Sequence, residues 1–510
     1  MTGTGAWPLA AASPLRDRVG AAALGAAALA VAAGLGAAVA AAPTMAALGA
    51  VALALAVVIV LRPAVAGYLM IVVTPLVVGI DRGRILPVLR PNEALLLLCG
   101  GALLARALWN LRSGARLRPK PGPVVTTLLL MAVFNSAVPL LWMSVRGVPV
   151  SADDLLYAVV LWKYLALYGI VRAAVRSERE VRHCLWLAMA AASIVAVVAV
   201  LQSLGLFGVP KLLGTFYAPF GDEGRLANGR GGSTLALPAA TADLMIFNIA
   251  LVAAFWRRHG FRRYPVLVPM AVLLVVGTFA SGQFSGAIGL VVALVVIGLV
   301  SRRANLPVAF GLVGLAATWF LRPVIERRLS GFDRVSGLPE SWVGRLHNLR
   351  SYFWPTLFSD NNFVLGVRPS ARVPGSRELA VRWVWIESGY TWLLWGGGIP
   401  LLVSYLAFVV VSVRRSWRLA ERPDAVGTAA TGVLVGVVVS AVLMLFDPHI
   451  TYRGAADLLF ALLALMTAGA AQSSRSQGAD HAGIGQRPPQ RYHPRLAWEP
   501  PAEEGVARHD

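Results

Sequence analysis

The residues that could do chemistry crowd into two polar stretches of an otherwise apolar chain. The longer, residues 322 to 385, carries ten arginines and five acidic residues. Within it, ESWVGRLHNLRSYFW sets Trp342, Leu346, Leu349 and Phe353 at i, i+4, i+7 and i+11, one stripe of a helix. Arg345, Asn348 and Tyr352 share a second stripe, His347, Arg350 and Trp354 a third, and Pro339 suits a first helical position. This pattern predicts an amphipathic helix at the membrane surface, its cationic faces turned towards something anionic. The shorter stretch, residues 207 to 233, holds Lys211, Arg225 and Arg230. Planar guanidinium groups grip phosphate oxygens in pairs, so the two stretches suit either lipid headgroups or a phosphate-bearing substrate. Glu387 follows, where the apolar run WIESGYTWLL begins. A carboxylate at hydrocarbon depth costs ~2.5–3.5 kcal/mol unless partnered, so a salt bridge to Arg382 or Arg225 accounts for it as well as proton transfer does. His347, the only histidine of the longer stretch, is either an exposed side chain or a base.

A nucleotide or a metal is not written into the chain. GxxxxGK[ST], GxGxxG after a strand, HExxH, Cys/His clusters and a DxD pair are all missing from the sequence. Chemistry at these residues would need its driving force inside the substrate, as in a lipid-linked phosphoanhydride.

The elements that must position these groups are membrane helices. Of 510 residues, 57% are hydrophobic, above the roughly 45–50% of soluble domains, and the apolar runs are long enough to cross ~30 Å of hydrocarbon. Spans are expected near 19–42, 44–61, 64–80, 92–108, 123–144, 155–175, 183–206, 234–256, 264–281, 285–300, 306–321, 385–412, 426–446 and 453–472. The expected fold is therefore all-α, a polytopic bundle of about fourteen spans, with about twelve also compatible with the runs. Arg16 and Arg18 precede the first run, which reads as an uncleaved helix rather than a signal peptide.

The net charge of +21 is nearly all arginine, with Lys120, Lys163 and Lys211 the only lysines. Most basic residues fall in alternate short turns, as in RALWNLRSGARLRPK, VRSEREVR, RRHGFRR, SRR and RRSWRLAER. That is a topology signal, not a nucleic-acid surface. It puts both termini in the cytoplasm and loops 81–91, 145–154, 207–233, 322–384 and 447–452 outside. Residues 1–472 form the membrane domain, and 473–510 a polar, Pro/Gly-rich tail expected to be disordered. Cys99 and Cys184 lie in apolar runs, so no disulfide is expected. Asp243, inside a span, either bonds a neighbouring helix or lines a substrate path. Gly282 and Gly286 suit a close helix turn.

From about residue 155 to 412 the order of parts resembles the O-antigen ligase and O-antigen polymerase superfamily of bacterial membrane glycosyltransferases. The parts are KYLALYGIVRAAVRSEREV, VVAVLQSLGLFG, GRLANGRGGSTLALPAATADLM, GTFASGQFSGAIGLVVALV, GRLHNLRSYFWPTLFSDNNFVLGV and WIESGYTWLLWGGGIPLLVSYL. The resemblance implies an inner-membrane enzyme that uses neither metal nor cofactor. It would transfer a glycan, with inversion, from an undecaprenyl-diphosphate carrier to an acceptor glycan, lipid or protein on the outer face. It implies that Arg225 or Arg230 engages the diphosphate and that Arg345 is the large-loop arginine, with Arg350 and Arg382 as further cations. Where ligases carry a His-Asn pair, this chain has Ile386 and Glu387, which leaves Glu387 as the potential base and His347 as the substitute. SGQFSG stands where members carry a Ser-Arg pair. A lipid-linked oligosaccharide flippase or an envelope assembly scaffold are the alternatives; a flippase would spread charges through central spans and repeat its halves.

Overall fold

Apolar runs of this length can satisfy their backbone in hydrocarbon as helices, and the computed structural model is helical almost throughout. It describes residues 43–468 except 87–88, 113–121, 218–228, 261, 303–304, 331, 333–338 and 376–382. The expected first span at 19–42, the tail, Arg225 and Arg382 lie outside the described residues.

Among the described residues, nine helices are long and apolar enough to cross a membrane. They become ten if Asn305–Phe320 and Arg322–Leu329, bent by 80° at their junction, count as one span. By helix length and hydropathy the chain is a multi-pass membrane protein. Of the expected fourteen, the run at 19–42 is outside the described residues, that at 306–321 is the 16-residue arm of the bent pair, and those near 64–80, 264–281 and 453–472 fold as 14-residue helices, Ala64–Val77, Leu267–Ala280 and Ala455–Ala468. Each is ~21 Å long, short of ~30 Å. The apolar run beyond Val77 is spent on buried turn residues, Val78 and Ile80, instead of more helix.

Burial is graded across the bundle. Pro238–His259 is 94% and Ala425–Leu443 83% buried within its most apolar window, whereas Pro43–Leu61 is only 6% buried. All three are apolar on every side, so position in the bundle, not amphipathicity, separates core from lipid face. Gly389–Ala420 is broken at Gly398, whose φ of +66° and ψ of −158° no L-residue adopts comfortably. The break lies against the Val364 carbonyl, which a Cβ there would strike.

All five loops expected outside meet at one end of the bundle. Arg345 of the longest loop pairs with Asp447, Arg368 with Asp154, Arg372 with Asp153 and Tyr217 with Ile80. The basic turns gather at the other end, where Arg257 and Arg258 donate to the carbonyl of Ala420. The longest loop is more built than one amphipathic helix. It contains Arg322–Leu329, Glu340–Asn348, a π turn at Leu349–Phe353, Trp354–Phe358 and a hairpin of β1 (Arg372–Pro374) and β2 (Trp383–Trp385). Pro339 caps its helix instead of opening it. The π turn shifts the register, so Leu349, Phe353 and Leu357 are buried and Leu346 is 40% exposed.

The break at Gly398 generates a stability test. Gly398→Ala should destabilise the protein by about 1–3 kcal/mol, lowering its thermal midpoint in detergent. Gly49→Ala, on an open helix face, should be neutral or stabilising by up to about 1 kcal/mol. Equal midpoints for the two variants would contradict the kink.

Candidate functional site

Glu387 is fixed by the segments that flank it. On one side the β ladder continues to Ile386, whose N–H donates to Ala371 O at 2.9 Å. On the other, Ser388 caps the Gly389–Ala420 helix by accepting from the Thr391 N–H. The carboxylate thus stands just ahead of a helix N-terminus, where the backbone dipole favours negative charge.

Arg345 reaches it from Glu340–Asn348. Its Nε lies 3.6 Å from Glu387 Oε1, an ion-pair contact, and its NH1 2.9 Å from Asp447 Oδ2. Asn348, one turn on, places Nδ2 3.4 Å from Glu387 Oε2. The Arg345–Asn348 stripe read from the sequence therefore does converge, on a carboxylate of the chain itself. Burial would favour the neutral guanidine, but Asp447 and Glu387 outweigh it and hold the Arg345 pKa above its ordinary value. Glu387 does pair with an arginine, but with Arg345; Arg382 and Arg225, the partners expected for it, lie outside the described residues.

Behind this pair lies a buried polar layer that the sequence reading did not assemble. Asp447 also hydrogen-bonds the Tyr452 side chain. His449 Nδ1 is 2.6 Å from Asp243 Oδ2, with the two residues 2% and 1% exposed. Asp243 thus bonds its neighbour in the bundle, one of its two anticipated roles. Asp447, His449 and Tyr452 were missed because 447–452 reads as a short connection. The signal was there: DPHITYR packs four ionisable types between two apolar helices.

Near Arg345 is a group of cations. At Gly282, in a tight turn with φ +61°, an added Cβ would lie 3.6 Å from the Arg230 stem and 3.9 Å from that of Arg328. A Cβ at Gly229 would collide with the Arg327 guanidinium. Arg328 is half-buried, with its guanidinium 4.8 Å above the Phe284 ring. Burial, then repulsion from Arg230 and Arg345, pulls its pKa down to about 10. Partial desolvation and like charge thus act on Arg328 in the same direction. Arg327 and Arg328 escaped notice because RPVIERRL has no stripe beyond its basic pair. Gly286 meets Ala242 at 2.9 Å from an added Cβ, so the expected close helix turn is observed. His347 and Arg350 are exposed on their helix.

The buried ion pair can be weighed in a double-mutant cycle. Asp447→Ala, which leaves Arg345 only its longer contact with Glu387, should cost up to about 3–5 kcal/mol. Adding Arg345→Met should restore part of that loss in chemical or thermal unfolding. Strict additivity of the two changes would show that the contact is not formed.

Searched against known protein families, the chain matches no family model, and no curated protein matches it.

Proposed function

We propose that this chain is a membrane glycosyltransferase. It moves a glycan from undecaprenyl diphosphate to an acceptor hydroxyl on the outer face of a bacterial plasma membrane, as a polysaccharide polymerase or ligase. The observation that carries the reading is one juxtaposition: Arg328 lies close enough to both Arg230 and Arg345 to feel their charge, and Arg345 contacts Glu387.

In the proposed reaction the acceptor oxygen attacks the anomeric carbon while the bond from that carbon to the diphosphate oxygen breaks. The hydroxyl proton passes to the Glu387 carboxylate, and the leaving diphosphate keeps the electron pair. Negative charge grows on the leaving group, and fixed cations stabilise that state more than the ground state. Arg230 and Arg328 supply them, with Arg345 at the seam between leaving group and base. A single displacement inverts the anomeric centre. The driving force resides in the phosphoanhydride-linked donor, so neither a metal nor a cofactor is part of the proposal.

Separable roles are expected of Glu387 and Arg345. In assays with purified protein, lipid-linked glycan and excess chelator, Glu387→Gln should lower turnover roughly 10²–10⁴-fold with donor affinity little changed. Arg345→Lys keeps the charge but loses the fork, so donor binding and turnover should both fall. Full turnover in Glu387→Gln, with loss in His347→Gln, would reassign the base. A requirement for magnesium would sink the reaction as written.

The sidedness can be checked in intact cells. Ser359 and Glu421 are exposed at opposite ends of the bundle, and Cys99 and Cys184 are buried. Ser359→Cys should react with an impermeant thiol reagent and Glu421→Cys should not. The reverse pattern would put the site in the cytoplasm and overturn the outer-face reaction.

A further inference from the structure

One segment at the Arg345 end of the bundle turns large apolar side chains away from the protein. Glu178–Leu204 ends at Gly205, and Leu206, Phe207 and Gly208 lead into a short helix, Val209–Phe216. Phe207 has a φ of +52° and is 88% exposed. A bulky residue at positive φ is strained, and at that exposure its ring gains little from packing on the protein. Leu206, Leu212 and Phe216 are exposed with it, the last two one helical turn apart, and Lys211 and Thr215 are exposed beside them. The opposite face is held in place. Leu213 is buried, the Tyr217 hydroxyl donates to Leu76 O at 2.8 Å, and Tyr217 forms a backbone bridge with Ile80. The exposed side is therefore a presented face and not a frayed end.

The depth of this face follows from the helix that it continues. Glu178, Arg179, Glu180 and Arg182 crowd the first turns of Glu178–Leu204, and the 21 residues from Cys184 to Leu204 carry no charge. At about 1.5 Å per residue they rise ~31 Å, matching a hydrocarbon layer of ~30 Å. With the charged turns at one headgroup layer, Gly205 falls at the opposite boundary of the hydrocarbon. The direction is set as well. Ile194 and Val197 are exposed on the side of the helix that faces lipid, and Leu201 and Leu204 continue their stripe at helical spacing to the point where the chain turns. The apolar face of 206–216 thus prolongs a lipid-facing stripe at the level where hydrocarbon meets headgroups.

We infer that residues 205–216 form a knuckle inserted in the bilayer, with Phe207, Leu212 and Phe216 in the acyl region just beneath the phosphates of the leaflet on the Arg345 side. Lys211 extends back to those phosphates, as long basic side chains do at an interface. Hydrocarbon around the Phe207 ring supplies the contact that the protein does not, and it offsets the strained backbone. This inference does not depend on glycosyl transfer.

The test uses the full chain reconstituted in vesicles of phosphatidylethanolamine and phosphatidylglycerol. Cys99 and Cys184 are buried, so a nitroxide label can be directed to Phe207→Cys, to Leu212→Cys and, as a reference exposed at the same end, to Ser359→Cys. Collision rates with oxygen, which concentrates in hydrocarbon, and with a water-soluble nickel complex report the depth of each label. Labels at 207 and 212 should favour oxygen, at a depth of about 5–10 Å below the phosphates, while the label at 359 should favour nickel. Two positions keep the test standing if one change disturbs the tip. Nickel access at 207 or 212 in a folded variant equal to that at 359 would overturn the inference. So would labels shielded from both reagents, with spectra broadened until unlabelled protein is mixed in, since the face would then belong to a second copy.

Discussion

One guanidinium, drawn most of the way out of water, sets the constraints at this end of the molecule. Arg345 is 19% exposed in its side chain and Asp447 8%. Desolvating such a pair costs several kcal/mol per ion, recovered only if geometry and hydrogen bonds are good. The partners must therefore be brought to Arg345 rather than left to find it. Asp447 comes on a turn pinned by Gly389, whose N–H donates to the Met444 carbonyl at 2.7 Å. Glu387 comes on the segment entering that same glycine. Two carboxylates from distant parts of the sequence are thus delivered by one junction, and Glu340–Asn348 can close on it only as a helix that presents Arg345 and Asn348 together.

The constraint extends inward. Asp243 sits on Pro238–His259, the most buried of the nine long helices, and its bond to His449 fastens the turn that holds Asp447. A charged or polar side chain is costly in that position unless paired. The site is consequently tied to the centre of the bundle and not only to its rim. The aromatic hairpin is tied differently, through Arg368 and Arg372 to Asp154 and Asp153 at the start of the Ala152–Ala158 helix. Glu387 lies between these two anchorages.

Much of this was legible in the sequence, and the parts that were not share a cause. Hydropathy located the helices because length and apolarity are local properties. It overcounted spans where the apolar run turned into buried loop, as at Val78 and Ile80, since burial in a turn and burial in hydrocarbon look alike in composition. Periodicity aligned Arg345 with Asn348 because both lie within one regular helix. It misplaced Leu346 because a π turn three residues later resets the phase. The need of Glu387 for a cation was inferred from its setting, but the partner Arg345 lies 42 positions away and no spacing rule selects it over Arg382. DPHITYR marks Asp447 and His449 as polar between two apolar helices, but their roles come from what packs against them.

The placement of Arg328 separates two uses of an arginine cluster. Side chains that serve only to grip lipid headgroups can extend outward and keep their charge hydrated, as Arg322 does at 66% exposure beside Glu326. Arg328 instead turns over the Phe284 ring, close enough to Arg230 and Arg345 for their repulsion to depress its pKa. Its Nε is buried with no hydrogen-bond partner among the described residues. Holding like charges together at reduced hydration raises the energy of the cluster, and a negative group among them, whether of the chain or of a ligand, lowers it by more than the same group would at a hydrated surface. Gly282 allows this crowding, because only a residue without a Cβ readily takes the left-handed turn on which the Arg230 and Arg328 stems pack.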